Sequence, residues 1–260
     1  MTTESGAVSR SKMQVVPVLD IKQGLVVRGV MGERANYRPI ETPLSQGPEP
    51  LAVARGLLAL HPFDALYIAD LDAIEGLAVE GVVAEGETRR RRGEPDAALI
   101  ESLVAAHPGV TLWLDAGVAN FDGAMAIDAL SGVLCVVGSE SVDEAETVRR
   151  LAEETDLALS LDFRGEAFVG PPELWSNESL WPETVIVMTL AKVGSGAGPD
   201  MDRLAEVMAR AGRRKVFAAG GVRGPADLAA LKDMGIAGAL VATALHDGRI
   251  SAADLAETTM

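Results

Sequence analysis

One residue in 260 is cysteine, and only 4% are aromatic. A single thiol, Cys135, excludes the internal disulfide framework on which small secreted domains depend. It lies in the apolar run Gly132-Val133-Leu134-Cys135-Val136-Val137 and reads as a buried core thiol. Bases are scarce: 23 Lys and Arg stand against 38 Asp and Glu, a formal net charge of −15. That balance argues against nucleic acid and against an anionic membrane surface as partners. It leaves room for a small phosphorylated substrate, because backbone N–H groups and a few cations suffice to hold a phosphate. No apolar run reaches the roughly 18 residues that a bilayer span requires. Met1 to Lys12 are polar and small and lack the apolar stretch of a signal peptide. We read residues 1–12 as a flexible tail, residues 13–260 as one domain, and the location as cytoplasmic. No His and Cys share metal-ligand spacing, no serine sits in a nucleophile elbow, and no catalytic-looking lysine stands at the end of the first predicted strand. No metal and no cofactor are therefore expected.

Hydrophobic residues are plentiful, at 48% of the chain. They fall in short runs that alternate with helical patterns. Strands are predicted near Val15–Asp20, Ala65–Asp70, Val110–Leu114, Val133–Val137, Leu157–Asp162, Val185–Thr189, Lys215–Ala219 and Ala239–Ala242. Helices are predicted at Glu49–Leu60, Ala97–Ala106, Phe121–Leu130, Asp143–Glu154, Pro199–Arg210 and Pro225–Met234, with Asp143 and Glu146 as a capping pair. Continuous apolar strands suit a parallel sheet covered on both faces. Eight of them alternating with helices, in a chain near the usual barrel length of about 250 residues, predict an α/β fold of the (βα)8 TIM-barrel type.

The two halves echo each other, as expected of a barrel built from two half-barrel repeats. Val15 to Asp20 and Leu157 to Asp162 both close on Leu-Asp, and each is followed by a cation and a glycine. Asp115-Ala116-Gly117-Val118 parallels Ala219-Gly220-Gly221-Val222, and Gly138-Ser139 parallels Ala242-Thr243, at one shared offset of 104 residues. The aspartates are 142 residues apart, so the first half carries extra length, much of it in Gly76–Asp96. A loop that long is functional or mobile as a rule. Its basic run, Arg89 to Arg92, reads as a solvated stretch or as a lid that brings positive charge to an anionic substrate.

Catalytic groups of such barrels stand at the C-terminal ends of the strands. Asp20 and Asp162 occupy two such ends and form a candidate acid/base pair: one carboxylate takes a proton while the other, protonated, gives one. Either alone also fits a loop-capping role. The Gly-rich turns admit a phosphate without Cβ interference. The candidate substrate and phosphate contacts are Gly117, Gly138, Ser139, Thr189, Gly194, Ser195, Gly220, Gly221 and Thr243, with Arg164 orienting the substrate or a carboxylate. Lys22, Arg28, Arg34, Arg38 and Lys192 also follow predicted strands, and Tyr37 reads as a lid residue. His246 reads as a helix-start residue or a substrate contact.

Several of these motifs together resemble the HisA/HisF family of histidine biosynthesis. They are Val16-Pro17-Val18-Leu19-Asp20 with Gly24-Leu25-Val26-Val27-Arg28, Ile68-Ala69-Asp70-Leu71-Asp72, Ser160-Leu161-Asp162-Phe163-Arg164-Gly165, Gly220-Gly221-Val222 and Ala244-Leu245-His246-Asp247-Gly248. The likeness runs from about Gln14 to Ile250. It implies the two-half barrel and, for HisA, a cofactor-independent Amadori rearrangement of a phosphorylated aminoaldose to an aminoketose. It also implies that the acid/base aspartates match Asp20 and Asp162. A HisF-like cyclase would need a glutaminase partner, and none is evident. Three positions depart from the family pattern. Asp115-Ala116-Gly117-Val118 stands where Gly-Gly-Gly-Ile is common, Val193-Gly194-Ser195 where Asp-Gly-Thr is usual, and Ala242-Thr243 where Gly-Arg or Gly-Lys is common. An acid beside a phosphate turn repels the ligand unless it is paired or points away. With Gly32 to Pro39 and Lys192 to Asp200, these departures look like the HisA/HisF-related proteins of methanogens and methylotrophs. That likeness implies, as alternatives, a different phosphorylated substrate in one-carbon cofactor synthesis (methanopterin or methanofuran type), or a non-catalytic barrel that binds a phosphometabolite.

Overall fold

The structure, a computed structural model, describes residues 12–76 and 92–259. Residues 1–11 of the tail expected over residues 1–12, and residues 77–91 of the long first-half loop, lie outside them. In chain order the strands are β1 (Gln14–Lys22), β2 (Leu25–Arg28), β3 (Arg38–Pro39), β4 (Ala65–Asp70), β5 (Thr111–Asp115), β6 (Val133–Gly138), β7 (Leu157–Arg164), β8 (Ala167–Val169), β9 (Thr184–Thr189), β10 (Lys215–Ala219) and β11 (Gly238–Val241). The helices are α1 (Pro50–Leu58), α2 (Leu71–Glu75), α3 (Ala97–Ala106), α4 (Phe121–Asp128), α5 (Ala145–Glu154), α6 (Pro172–Ser176), α7 (Met201–Ala211), α8 (Pro225–Asp233), α9 (Thr243–His246) and α10 (Ala252–Thr259).

The eight predicted strands pair in parallel around a ring, β1-β4-β5-β6-β7-β9-β10-β11. Gln14 to Pro17 lie beside Gly238 to Val241, and this last pairing returns β11 to β1 and closes the barrel. The fold is a (βα)8 barrel. Its strands are apolar throughout because alternate residues face two cores. Leu19, Ile68, Leu114, Leu159 and Val187 face the helices. Val16, Tyr67, Trp113, Val136, Ile186, Phe217 and Leu240 fill the interior. Trp113 and Phe217 meet edge to face there, with ring centroids 4.8 Å apart.

Two antiparallel hairpins, not predicted from the sequence, extend the ring. β2 folds back on β1 with Asp20 beside Val27. β8 folds back on β7 with Asp162 beside Val169. Helix boundaries agree with expectation to within about two residues, as is usual. The Asp143/Glu146 capping pair does not form. Helix α5 starts at Ala145 after Glu144, without a side-chain cap. Glu146 instead pairs with Arg149, one turn along. Two aspartates of the second-strand motif hold loops in place. Asp70 caps α2 and accepts the Asp96 N–H at 3.0 Å, and Asp72 accepts the Gln23 N–H at 2.7 Å. Among the described residues no helix is long and apolar enough to cross a membrane.

Gly238 shows how tightly the interior is filled. A Cβ there would lie 2.4 Å from the Phe217 ring and 2.6 Å from the Gln14 carbonyl oxygen. Gly238→Ala should cost about 1–3 kcal/mol through overpacking and lower the melting temperature by several degrees. An unchanged midpoint in thermal denaturation would mean that Phe217 moves freely.

Candidate active site

The ring geometry fixes where side chains at the C-terminal mouth meet. Three strands separate β1 from β7 in either direction, so Asp20 and Asp162 come from opposite sides of the barrel. On the perpendicular diameter β5, which ends in Asp115, faces β10, which leads into Gly220-Gly221. All of these residues line one cavity of about 470 Å³.

Asp162 is held most firmly. It accepts the Glu140 N–H at 3.0 Å and the Ser160 hydroxyl at 2.7 Å, and only 4% of it is exposed. Ser139 braces it from below. The Ser139 hydroxyl donates to the Val169 carbonyl at 2.7 Å and accepts the Asp162 N–H at 2.9 Å. Burial pushes the Asp162 carboxyl up to about 7, against the lowering pull of its donors. Asp115 accepts the Gly117 N–H at 3.0 Å and the Tyr67 hydroxyl at 3.1 Å. Burial raises it to about 6. Asp20 is also raised to about 6 by burial, partly opposed by the positive charge of Arg34. Arg34 itself pairs with Glu140.

A loop from Gly29 to Tyr37 roofs this floor. The Met31 N–H donates to the Val193 carbonyl at 2.7 Å, which ties the loop to the segment after β9. Gly29 and Gly194 allow the contact: a Cβ on Gly29 would lie 2.9 Å from an Asp20 oxygen, and one on Gly194 would lie 2.2 Å from the Gly29 carbonyl oxygen. A Val193 methyl would lie 2.9 Å from the same Gly29 Cβ, so Gly29 packs between Val193 and Asp20.

Of the residues singled out from the sequence, Asp20, Asp162, Gly194, Ser195, Gly220, Gly221 and Thr243 line the cavity. Five others lie off its wall. Arg164 is exposed, because the chain turns outward into the β7–β8 hairpin two residues after Asp162. Thr189 is buried and donates to Asp200 at 3.3 Å. Gly117 is glycine because α2 crosses it: a Cβ would lie 2.6 Å from the Ile74 Cα. Gly138 makes room for the Asp162 carboxylate, 3.3 Å from its would-be Cβ, and Ser139 is committed to bracing Asp162. Arg28, Arg34 and Tyr37 do reach the cavity, whereas His246 does not. That histidine is buried in α9 with Nδ1 3.2 Å from the Thr42 hydroxyl, and burial pushes it down to about 4. Glu140 and Tyr67 are cavity residues that sequence reasoning missed, since neither carries a local signal. Among the described residues no group of His, Cys, Asp and Glu is arranged to hold a metal.

The buried acids set a pH signature for stability. A folded-state value above the ordinary 3.8 means that the native state holds the proton more strongly than the unfolded chain. The contribution is therefore full below about pH 4 and is lost as pH rises through about 6. Asp115→Asn keeps both hydrogen-bond partners without the charge. It should raise the melting temperature at pH 8 by more than at pH 5, a comparison that calorimetry at the two pH values checks.

Comparison with known proteins agrees with this geometry. A family model described as "Histidine biosynthesis protein" matches residues 14–251. An uncharacterized protein of Methanocaldococcus jannaschii is 25% identical over 91% of this chain and 94% of its own length. Proteins of Rubrobacter xylanophilus and Thermus thermophilus are each 28% identical, over 95% and 92% of this chain and 96% of their own lengths. Both are named as imidazole-4-carboxamide isomerases, and the substrate in that name carries two phosphoribosyl groups. On the strength of a match over nearly the whole barrel, the chain belongs to the histidine-biosynthesis protein family.

Proposed function

We propose that this barrel is a HisA-like isomerase that converts a phosphorylated aminoaldose to the aminoketose by acid/base catalysis, without a cofactor. The observation that carries the reading is the pair Asp20 and Asp162, set on opposite strands of one cavity and raised to about 6 and about 7. Near neutral pH such a pair supplies one ionised and one protonated carboxyl.

The steps balance without an electron acceptor. Asp162, as the acid, protonates the sugar ring oxygen. The C1–O bond breaks, and the nitrogen lone pair forms the C=N bond of an iminium. Asp20, as the base, removes the proton on C2, which leaves an enolamine. Asp20 then returns that proton to C1 while Asp162 takes the proton from the C2 hydroxyl, giving the ketone and restoring both carboxyls. Ser160 and the Glu140 N–H hold the Asp162 oxygens in place for both transfers. The turn at Gly220 and Gly221 suits a phosphate: the Gly221 N–H makes no hydrogen bond among the described residues, and both glycines line the cavity. Relatives named as isomerases of a phosphoribosylated imidazole-4-carboxamide support the reaction class. The shared hairpin register, Asp20 beside Val27 and Asp162 beside Val169, supports descent from a duplicated half-barrel.

The test is formation of the 1-amino-1-deoxyketose 5-phosphate, followed by NMR, from the N-glycosylamine that ribose 5-phosphate forms with a simple amine. Asp20→Asn and Asp162→Asn should each lower the rate by about 10²–10⁴-fold with the fold intact by circular dichroism. Turnover that survives in both variants would sink the mechanism. The pH profile follows from the roles. Rate rises as Asp20 ionises near 6 and falls as Asp162 loses its proton near 7, which gives a narrow bell between them. A plateau extending to pH 9 would remove Asp162 as the acid.

A further inference from the structure

The two halves of the mouth are no longer equivalent, and the difference bears on what the cavity binds. In the second half, the N–H groups of Gly194, Gly196 and Gly221 make no hydrogen bond among the described residues. In the first half the Gly117 N–H, which corresponds to that of Gly221, is spent on Asp115. Nearby, the Glu140 N–H goes to Asp162 and the Ser139 N–H to the Ser160 carbonyl. Asp115 is the acid at that turn. Its counterpart at the shared 104-residue offset is Ala219, whose methyl leaves the opposite turn open.

Charge is uneven around the mouth as well. Asp20, Asp115 and Glu140 of the first half and Asp162 on β7 line the cavity, with Arg34 paired to Glu140 among them. On the other side Arg28 and Arg249 share Asp247, at 3.0 and 3.2 Å. A second phosphate at Asp115 would meet a carboxylate where it needs N–H donors, in a partly desolvated place where like charges repel strongly. An ammonium at the same place would find the charge that the wall lacks.

We infer that this cavity takes a substrate with a single phosphate, seated at Gly220 and Gly221, and that Asp115 is a specificity-determining residue. It stands as a built-in anion where a second phosphate would sit and receives an amine-bearing end of the substrate instead. The inference rests on the proposed reaction only for the phosphate cradle. It separates this chain from relatives whose named substrate carries two phosphoribosyl groups.

Three probes of similar ring size test it by calorimetric titration: glucosamine 6-phosphate, glucose 6-phosphate and fructose 1,6-bisphosphate. The wild-type protein should bind glucosamine 6-phosphate about ten-fold more tightly than glucose 6-phosphate, a difference of about 1.4 kcal/mol. It should bind the bisphosphate no better than glucose 6-phosphate. Asp115→Asn should bring the amine preference to near one while leaving the affinity for glucose 6-phosphate unchanged. Asp115→Gly, which opens the turn, should bind a second equivalent of inorganic phosphate where the wild type binds one. Two phosphates on the wild-type protein, a preference for the bisphosphate, or an amine preference that persists in Asp115→Asn would overturn the inference and leave the proposed isomerase standing. No binding of any phosphate would remove the cradle itself, and the proposed isomerase with it.

Discussion

Closure of the parallel sheet between β11 and β1 is the constraint on which the rest depends. A closed barrel of eight strands has an interior just wide enough for side chains. Here Trp113, Phe217, Tyr67 and their neighbours fill it. Polar groups are left the rim at the strand ends. Strand pairing sets their heights there: Asp20 lies level with Ala69, and Ala69 with Asp115, while Asp162 lies level with Met188 on the far side. The carboxylates thus stand on a floor of packed aromatic and aliphatic groups, and that floor desolvates them. The raised carboxyl values are a consequence of barrel closure as much as of any residue beside them.

The roof adds the second element of the desolvation. Gly29, Val193 and Gly194 bring the loops after β2 and β9 together over Asp20, which is half-buried as a result. Arg34 offsets part of the cost for Asp20, and Tyr67 does so for Asp115. Ser160 and the Glu140 N–H do it for Asp162. Each acid therefore has a support of its own kind.

The fold was legible because its signal is strong and repeated: eight apolar runs of strand length, separated by helical patterns, allow few other topologies. The hairpins escaped notice because β2 and β8 are short and β8 reads as part of a loop. Asp20 and Asp162 were legible because a carboxylate at the end of an apolar strand is out of place unless the strand ends at a mouth. Arg164 misled because strand alternation suggests an inward direction, which holds only while the strand stays in the ring. Gly117 and Gly138 misled for a different reason. Glycine marks a close approach by something, and the sequence does not say whether that is a ligand, the Cα of Ile74 or the carboxylate of Asp162. Residues such as Glu140 and Tyr67 reach the cavity only through three-dimensional packing, so no local pattern announces them.

Asp115 shows what one carboxylate does at the mouth of this barrel. Relative to Ala219, 104 residues further on, it places a carboxylate where the other turn has a methyl group. The change costs stability, since a desolvated charge replaces a methyl-sized group. Local partners reduce that cost: the Gly117 N–H and the Tyr67 hydroxyl both donate to the carboxylate. Those donors lie within the protein and are ready before any ligand arrives. A carboxylate satisfied in this way gains little from being buried further by a neutral group, and it repels an anion. It gains most from a cation, because the Coulomb term grows as water leaves the cavity. The same burial that makes Asp115 a burden to the empty protein therefore makes it selective once a substrate closes the mouth, and a barrel with two equivalent anion turns would have no such bias.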